Sequence, residues 1–261
     1  MSVQITWWGH ATVMMSIAGY RVLTDPLLAG QLAHLRRIGG PGPKPESVRA
    51  DVVLISHLHA DHLHLASLAR LDPGYTLIAP KGTAALLHAA GRRLDGRLIE
   101  VQADDSLQAG SLTIHAVRAQ HGDRRHHRSR FSGAALGYVL ANGDDSVWFA
   151  GDTGLFEGMS GIGPVDTAIV PVGGWGPTLG PEHLDPVQAA EAVRRVGARD
   201  AVPIHYGTFW PVGLRRVHPP TYRRLFVSPG DQFAAALGEA CPDATAHVLA
   251  AGGHVALGRA R

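Results

Sequence analysis

HLHADH, residues 57–62, sets three histidines and one aspartate in six positions, directly after the apolar run DVVLIS, residues 51–56. The apolar run reads as a buried strand. A packed core has no use for so many donors at its edge, because each buried polar group costs free energy unless it is paired. His57 and His59 are two apart, and in an extended segment such side chains point to the same side. Asp61 and His62 follow at the expected strand-to-helix turn, so four donors can converge on one spot. Imidazole and carboxylate together suit zinc, and also iron or manganese. A solvated surface would account for a lone pair of histidines, but not for four donors at the end of a buried strand.

The pattern recurs along the chain. AVRAQHGD (116–123) puts His121 just after a strand, SVWFAGDTG (146–154) puts Asp152 after another, and AVPIHYGTF (201–209) puts His205 after a third. Glycines beside Asp152 let backbone approach closely. Any one instance of apolar strand, donor and glycine-containing turn could be chance. Together they give seven candidate ligands, five histidines and two aspartates.

Composition frames this reading. The chain has 261 residues, is 45% hydrophobic and contains 16 histidines. That is enough apolar material for a sizeable core. A formal net charge of +2 implies no strong polyanion, so no nucleic-acid partner is expected. The one cysteine, Cys241, excludes an intramolecular disulfide and any multi-cysteine zinc site. The opening MSVQITWWGHATV lacks the pattern of a signal peptide, and no apolar run reaches the about 20 residues of a membrane helix. A soluble cytoplasmic protein without integral membrane association is expected, and a homo-oligomer stays open.

Strands are expected at residues 3–8, 12–17, 21–24, 51–56 and 76–80, then at 98–102, 112–119, 135–140, 147–150, 167–172 and 201–204. GQLAHLRRIGGPGPKPESVRA (30–50) reads as a Gly/Pro-rich surface loop with one short helical turn at its start. Helices are expected at HLASLARL (64–71), GTAALLHAAG (82–91, ended by Gly91), DPVQAAEAVRRVG (185–197) and GDQFAAALGEA (230–240). For the third, Asp185 is the expected N-cap, Pro186 the first residue and Gly197 the stop. Each half holds strands with helices to cover them. The economical arrangement is two sheets face to face between outer helices.

HLHADH, a lone His, GDTG and a late His, in this order, resemble the metallo-β-lactamase superfamily. The resemblance spans nearly the whole chain and implies an α/β fold, a four-layer αββα sandwich with two mixed sheets, as a single domain over residues 1–261. It implies that His57, His59 and His121 hold one metal, that Asp61, His62 and His205 hold the other, and that Asp152 bridges both. The cofactors implied are two divalent metal ions, zinc first, with manganese or iron as alternatives. A metal-bridging hydroxide would then be the nucleophile, since metal binding lowers the pKa of water to roughly 7. Three branches are set aside. Zinc β-lactamases of the common type use a cysteine ligand that Cys241 is too near the C-terminus to supply, di-iron flavin-linked oxidoreductases carry Glu where His59 stands, and the RNA-processing branch needs a large inserted domain.

WWGHATVMMSIAGYRVLTDPLL (7–28), AQHGDRRHHRSRFSGAALGYVL (119–140), HLDPVQAAEA (183–192) and PIHYGTFWP (203–211) resemble the branch of N-acylphosphatidylethanolamine phospholipase D-type hydrolases. The bacterial ascorbate-6-phosphate lactonases are also similar. Both act on phosphorylated substrates. No added lipid-binding segment is visible at the N-terminus, so a membrane phospholipid is not implied.

The expected function is a metal-dependent hydrolase that attacks a phosphodiester or related anionic ester of a small molecule. The alternative is a lactonase or a carboxylic ester or amide hydrolase, and a non-catalytic metal-binding protein is a third reading. Asp61 and His183 are the catalytic candidates, the latter as a substrate or leaving-group contact. His10 is expected beside the ligands or in the pocket. Asp25, in LTDP, could orient a ligand histidine through its second nitrogen; a turn-forming Asp before Pro is the other reading. Arg124 and Arg125 begin a basic segment directly after His121, and arginine's planar fork suits phosphate or carboxylate. Ordinary solvated charge is the alternative there. Trp175 and Trp210, in Gly/Pro-rich loops beside motif residues, are candidate pocket walls.

Overall fold

The computed structural model describes residues 2–93, 96–174 and 179–258, the side chain of Pro45 excepted. The strands alternate as a pleated chain must. In Val3–Trp7 the side chains of Val3, Ile5 and Trp7 are buried while Gln4 is exposed. One seven-stranded sheet runs in the order His254–Leu257, Val3–Trp7, Val13–Ile17, Tyr20–Thr24, Val52–Leu54, Thr76–Pro80, Arg97–Val101. Its first four strands pair antiparallel, and from Tyr20–Thr24 onward the pairs are parallel. The second sheet also has seven strands: Thr245–Ala246, Asp200–Ile204, Thr167–Pro171, Ser146–Phe149, Leu136–Ala141, Leu112–Arg118, Ser106–Ala109. It too is mixed, parallel over the first four and antiparallel beyond.

The two sheets enclose one core. Ile5, Val13, Met15 and Leu54 from the first meet Leu136, Tyr138, Phe149 and Val202 from the second. The opposite faces are covered by helices. Val53 and Leu77 pack with Leu68, Leu86 and Leu87 of the helices Leu65–Leu68 and Thr83–Ala89. Ala168 and Val170 pack with Ala189 and Val193 of Pro186–Val196 and with Phe233 and Leu237 of Pro229–Ala240. This is the αββα order. Parallel strands covered on both faces are largely apolar, as in Thr167–Pro171, where every residue is buried. The helix Pro186–Val196 starts with a capping box between Asp185 and Gln188 and ends at Gly197, whose φ of 64° is left-handed.

The stretch 30–50 departs from expectation. Its start is a hairpin, Gln31–Leu32 with Leu35–Arg37, which pairs antiparallel with Phe209–Pro211 as a third, small sheet. The helical turn lies near the far end, at Pro45–Val48. A short hairpin is marginal alone, and its partner comes from a part of the chain that no local pattern connects to it. Ser106–Ala109 is an added edge strand that the apolar pattern did not reveal. This small sheet shares a cavity with Asp61 and His205, which follow Val52–Leu54 and Asp200–Ile204, and so stands at the C-terminal edge where open α/β sheets place ligands.

Candidate metal centre

Each of the seven candidate ligands lies just beyond the C-terminal end of a strand on this edge or in the turn that follows. His57, His59, Asp61 and His62 follow Val52–Leu54, His121 follows Leu112–Arg118, Asp152 follows Ser146–Phe149, and His205 follows Asp200–Ile204. The structure brings them together in two groups. The ligand atoms of His57, His59 and His121 lie within 4.8 Å of one another, and so do those of His10, Asp61, His62 and His205. Asp152 falls within the same span of both His57 and His62.

In the first group His59 Nδ1 is 2.9 Å from His57 Nε2 and 3.1 Å from His121 Nε2. Their outward nitrogens are spoken for. His121 Nδ1–H donates to the Glu182 carbonyl at 3.0 Å, and His57 Nδ1–H donates to Ser56 Oγ at 2.9 Å. A carbonyl can only accept, so the inward nitrogen of His121 carries a lone pair. One ring proton on His59 can serve only one of its two neighbours. With that proton on Nδ1 one neighbour is left without a donor, and without it both contacts set lone pair against lone pair; a cation resolves either case.

In the second group Asp152 Oδ2 is 3.2 Å from both His62 Nε2 and His205 Nε2, and those two nitrogens are 3.3 Å apart. His62 Nδ1–H donates to Asp25 Oδ2 at 2.7 Å, and His205 Nδ1–H donates to the Gly173 carbonyl at 3.1 Å. Asp61 Oδ2 lies 3.6 Å from His62 Nε2 and accepts from His10 Nε2–H at 3.1 Å. The backbone is strained here: His10, Asp25 and His205 have φ of 52°, 36° and 66°, in or near the left-handed region. Non-glycine residues there cluster at functional sites.

The electrostatics separate one histidine from the rest. Burial pushes the imidazoles of His57 and His59 down, and takes His10 to about 4, with the neighbouring His205 adding to it. His183 is also lowered to about 4, by burial first. For His62, burial acts the same way but is outweighed by Asp152, Asp61 and Asp25, which hold it well above its ordinary range. Burial opposes ionisation of Asp61 and Asp152 as well, yet the histidines around them keep both well below the usual carboxylate range. Three carboxylates around one imidazole make a field that demands positive charge.

The donors present fit metal ions. Two ligands about 2.1 Å from one tetrahedral ion stand about 3.4 Å apart, close to the 2.9–3.3 Å separations between the histidine nitrogens. Asp152 Oδ1 is buried and has no hydrogen-bond partner among the described residues. An orphaned buried carboxylate oxygen is costly unless something charged meets it.

The other expected site residues are placed as follows. His10 sits inside the second group, against the rings of His62 and His205. Asp25, fully buried, accepts from His62, from the Ser56 amide at 2.8 Å and from the Ser56 hydroxyl at 2.5 Å. His183 is partly exposed, with Nε2 3.8 Å from Asp152 Oδ2 and its ring edge-on to His121. Trp210 is buried, lines a cavity beside Asp61 and packs edge-on to Tyr222 and Phe226. Arg124 is exposed, in a bridge with Ser132. Arg125 is partly buried, and its Nη1 donates to the carbonyls of Leu58 and Leu63 at 2.8 Å, so the guanidinium braces the HLHADH turn. Trp175 lies outside the described residues.

Three residues escaped the sequence reading. Ser56, next to the motif, ties Asp25 to His57. Thr208 Oγ1 accepts from the His10 amide at 2.7 Å. Arg37 donates to the carbonyls of Trp8 and Leu27 at 3.0 and 2.9 Å and lies over the Phe209 ring, holding the His10 turn to the small sheet. Its adjacency made Ser56 findable; Arg37 and Thr208 act across long separations that leave no local pattern.

A family profile described as a β-lactamase superfamily domain matches residues 20–206. A metal-dependent hydrolase of Methanopyrus kandleri is 33% identical over 215 residues, covering 80% of this chain and 86% of its own length. N-acyl-phosphatidylethanolamine-hydrolyzing phospholipase D 1 of Caenorhabditis elegans is 28% identical over 230 residues, covering 80% of this chain and 64% of its own. The chain spans 59% of the length of uncharacterised Mycobacterium relatives that are 30% identical to it over 220 residues. Among solved structures, Igni18, a metallo hydrolase from Ignicoccus hospitalis, superposes with a TM-score of 0.73 at 21% identity over 100% of both chains. That likeness concerns the fold.

Proposed function

This chain belongs to the metallo-β-lactamase superfamily, and from that premise we propose that it is a dinuclear metal-dependent hydrolase. The observation that carries the reading is Asp152. One carboxylate oxygen touches His62 and His205, the other is buried without a partner among the described residues, and the residue lies within ligand distance of both histidine groups. In this reading His57, His59 and His121 would hold one ion, Asp61, His62 and His205 the other, and Asp152 would bridge. Zinc suits this nitrogen-rich set, with manganese or iron as alternatives. Divalent cations held there would supply a water that ionises near neutral pH and would polarise the bond under attack.

The chain's own residues do the rest. Asp61 is held ionised by His62 and His10 and can accept a proton or a hydrogen bond from the attacking water. His10 fixes its orientation. His183, neutral near pH 7, faces Asp152 from the exposed side, where it can contact the leaving group. The substrate class rests on the branch resemblance: a small phosphodiester or related anionic ester, with Arg124 and Arg125 as the arginines that could meet its charge, Arg124 being the more exposed. A carboxylic ester or lactone is the second reading. It is favoured by one observation: no Lys or Arg is among the described residues lining the cavity beside Asp61. We read the whole chain as one catalytic domain, acting in the cytoplasm.

Elemental analysis after metal-supplemented purification, with hydrolysis of bis-p-nitrophenyl phosphate and a lactone panel, tests this. The expected result is two equivalents of metal and metal-dependent turnover. Asp152→Ala should hold less than one equivalent. Asp61→Asn should retain part of the metal and lose most of the rate. Wild-type protein with well under one equivalent would overturn the reading.

A further inference from the structure

A cavity of about 720 Å³ opens from the second histidine group, with His10, Asp61 and His205 at one end. This is within the size range of small-molecule sites. Its walls away from that end are mostly apolar and include Leu35, Phe209, Trp210, Leu214, Leu225 and Phe226. They come from the hairpin Gln31–Leu32/Leu35–Arg37, from Phe209–Pro211, and from the helical segment that follows, Leu214–Val217, Pro219–Tyr222 and Arg223–Val227. Apart from Asp61, no aspartate, glutamate, lysine or arginine lines it among the described residues. The arginines of the wall segment, Arg215, Arg216, Arg223 and Arg224, are exposed on its outer side. Arg37 beneath Phe209 has its donors engaged by backbone carbonyls.

His34 and the hydroxyl-bearing Tyr206, Thr208 and Thr221 are the other polar side chains along it, and a charged group carried into such walls would lose its hydration with no opposite charge beyond Asp61 and the histidines to replace it. An alkyl or aryl group would gain from burial. We propose that this cavity is the specificity pocket of the enzyme, and that it seats an uncharged apolar alkyl or aryl arm of the substrate while the scissile group lies at the end formed by His10, Asp61 and His205. The proposal rests on the hydrolase reading above for where the bond is cleaved, and deepens it by assigning the substrate an apolar arm. The arm's identity is set by the wall segment, because Leu214 and Leu225 are its partly exposed faces toward the cavity. Phe209 and Phe226, both buried, form the fixed floor.

Two homologous series test it: p-nitrophenyl alkyl phosphodiesters and p-nitrophenyl alkanoates, each with methyl, butyl and octyl arms. In the series that is turned over, kcat/KM should rise by up to roughly fourfold per buried methylene, and at least tenfold from methyl to butyl. Leu225→Asp should flatten that rise and Leu225→Met should keep it. Val217→Asp, on the same segment but outside the cavity, should leave the whole series as in wild type. In parallel, binding of 1-octanol and 1-butanol to metal-depleted protein is followed by tryptophan fluorescence, with octanol expected to bind more tightly and Leu225→Asp to remove the difference. Octanol binding without hydrolysis of any ester would sink the hydrolase reading and leave the pocket standing. Hydrolysis indifferent to arm length, or no preference for octanol over butanol, would overturn the pocket.

Discussion

Asp25 Oδ2 and His62 Nδ1 lie 2.7 Å apart, and both side chains are completely buried. The same carboxylate takes two more donors, the amide and the hydroxyl of Ser56, and Ser56 in turn accepts from His57. One aspartate therefore sets the orientation of a histidine in each group. Its position is exact only because the strands Tyr20–Thr24 and Val52–Leu54 pair in register, Thr24 opposite Leu54.

Asp25→Asn should show this. All three neighbours of Asp25 are donors, so an amide nitrogen placed there meets a donor and leaves it unpaired. We expect metal affinity to fall about 10–100-fold, the usual effect of removing a group that orients a metal-bound histidine. Stability should fall by about 1–3 kcal/mol. Competition with a chromogenic chelator and a thermal melt of the metal-free protein measure the two separately. Unchanged affinity would leave Asp25 as a fold residue only.

Gly151, beside Asp152, has a φ of 62°, and a Cβ added there would stand 2.7 Å from Ser56 Cβ and 2.9 Å from the Leu136 carbonyl. Gly151→Ala should cost about 1–3 kcal/mol and reduce bound metal, because the shift is passed directly to Asp152. Gly143 has a φ of 88° with nothing within 4 Å. Gly143→Ala should lower stability modestly and leave the metal content intact. Equal metal loss in both variants would rule out a local effect.

The two neighbouring arginines should part company. Arg125→Ala removes the clamp on the carbonyls of Leu58 and Leu63, and buried carbonyls left without a donor cost about 1–3 kcal/mol. The melting temperature should drop, and by the same amount at low and at high salt. Arg124→Ala should leave it unchanged. If the substrate is anionic, Arg124→Ala should instead raise KM, with the difference shrinking as salt screens the exposed charge.

Chelation should destabilise the fold. With metal at 100 times its dissociation constant, binding contributes about 2.7 kcal/mol, and a protein of this size loses about 2–4 °C per kcal/mol. A drop of about 5–10 °C on chelation, reversed by adding zinc, is the expected outcome. A melt indifferent to chelator would argue that no ion occupies the site in solution.

The sequence by itself determined the principal strands of both sheets, the four covering helices, the αββα layering and the cluster at the end of Val52–Leu54. These rest on short-range physics: alternation of apolar residues, capping at Asp185 and Gly197, and donors two residues apart just beyond one strand. His121, Asp152 and His205 were legible for the same reason, each being an isolated donor just after an apolar run. What only the tertiary structure decided is how those ends face one another and what surrounds them. The clamp made by Arg125, the hold of Arg37 on the Trp8 and Leu27 carbonyls, and the hairpin that pairs with Phe209–Pro211 join residues from distant parts of the chain. Backbone carbonyls and strand edges carry no side-chain signature, so a partner that far away cannot be read from composition or periodicity. The apolar cavity follows from the same pairing, since its walls come from two distant stretches that become one surface only when the small sheet forms.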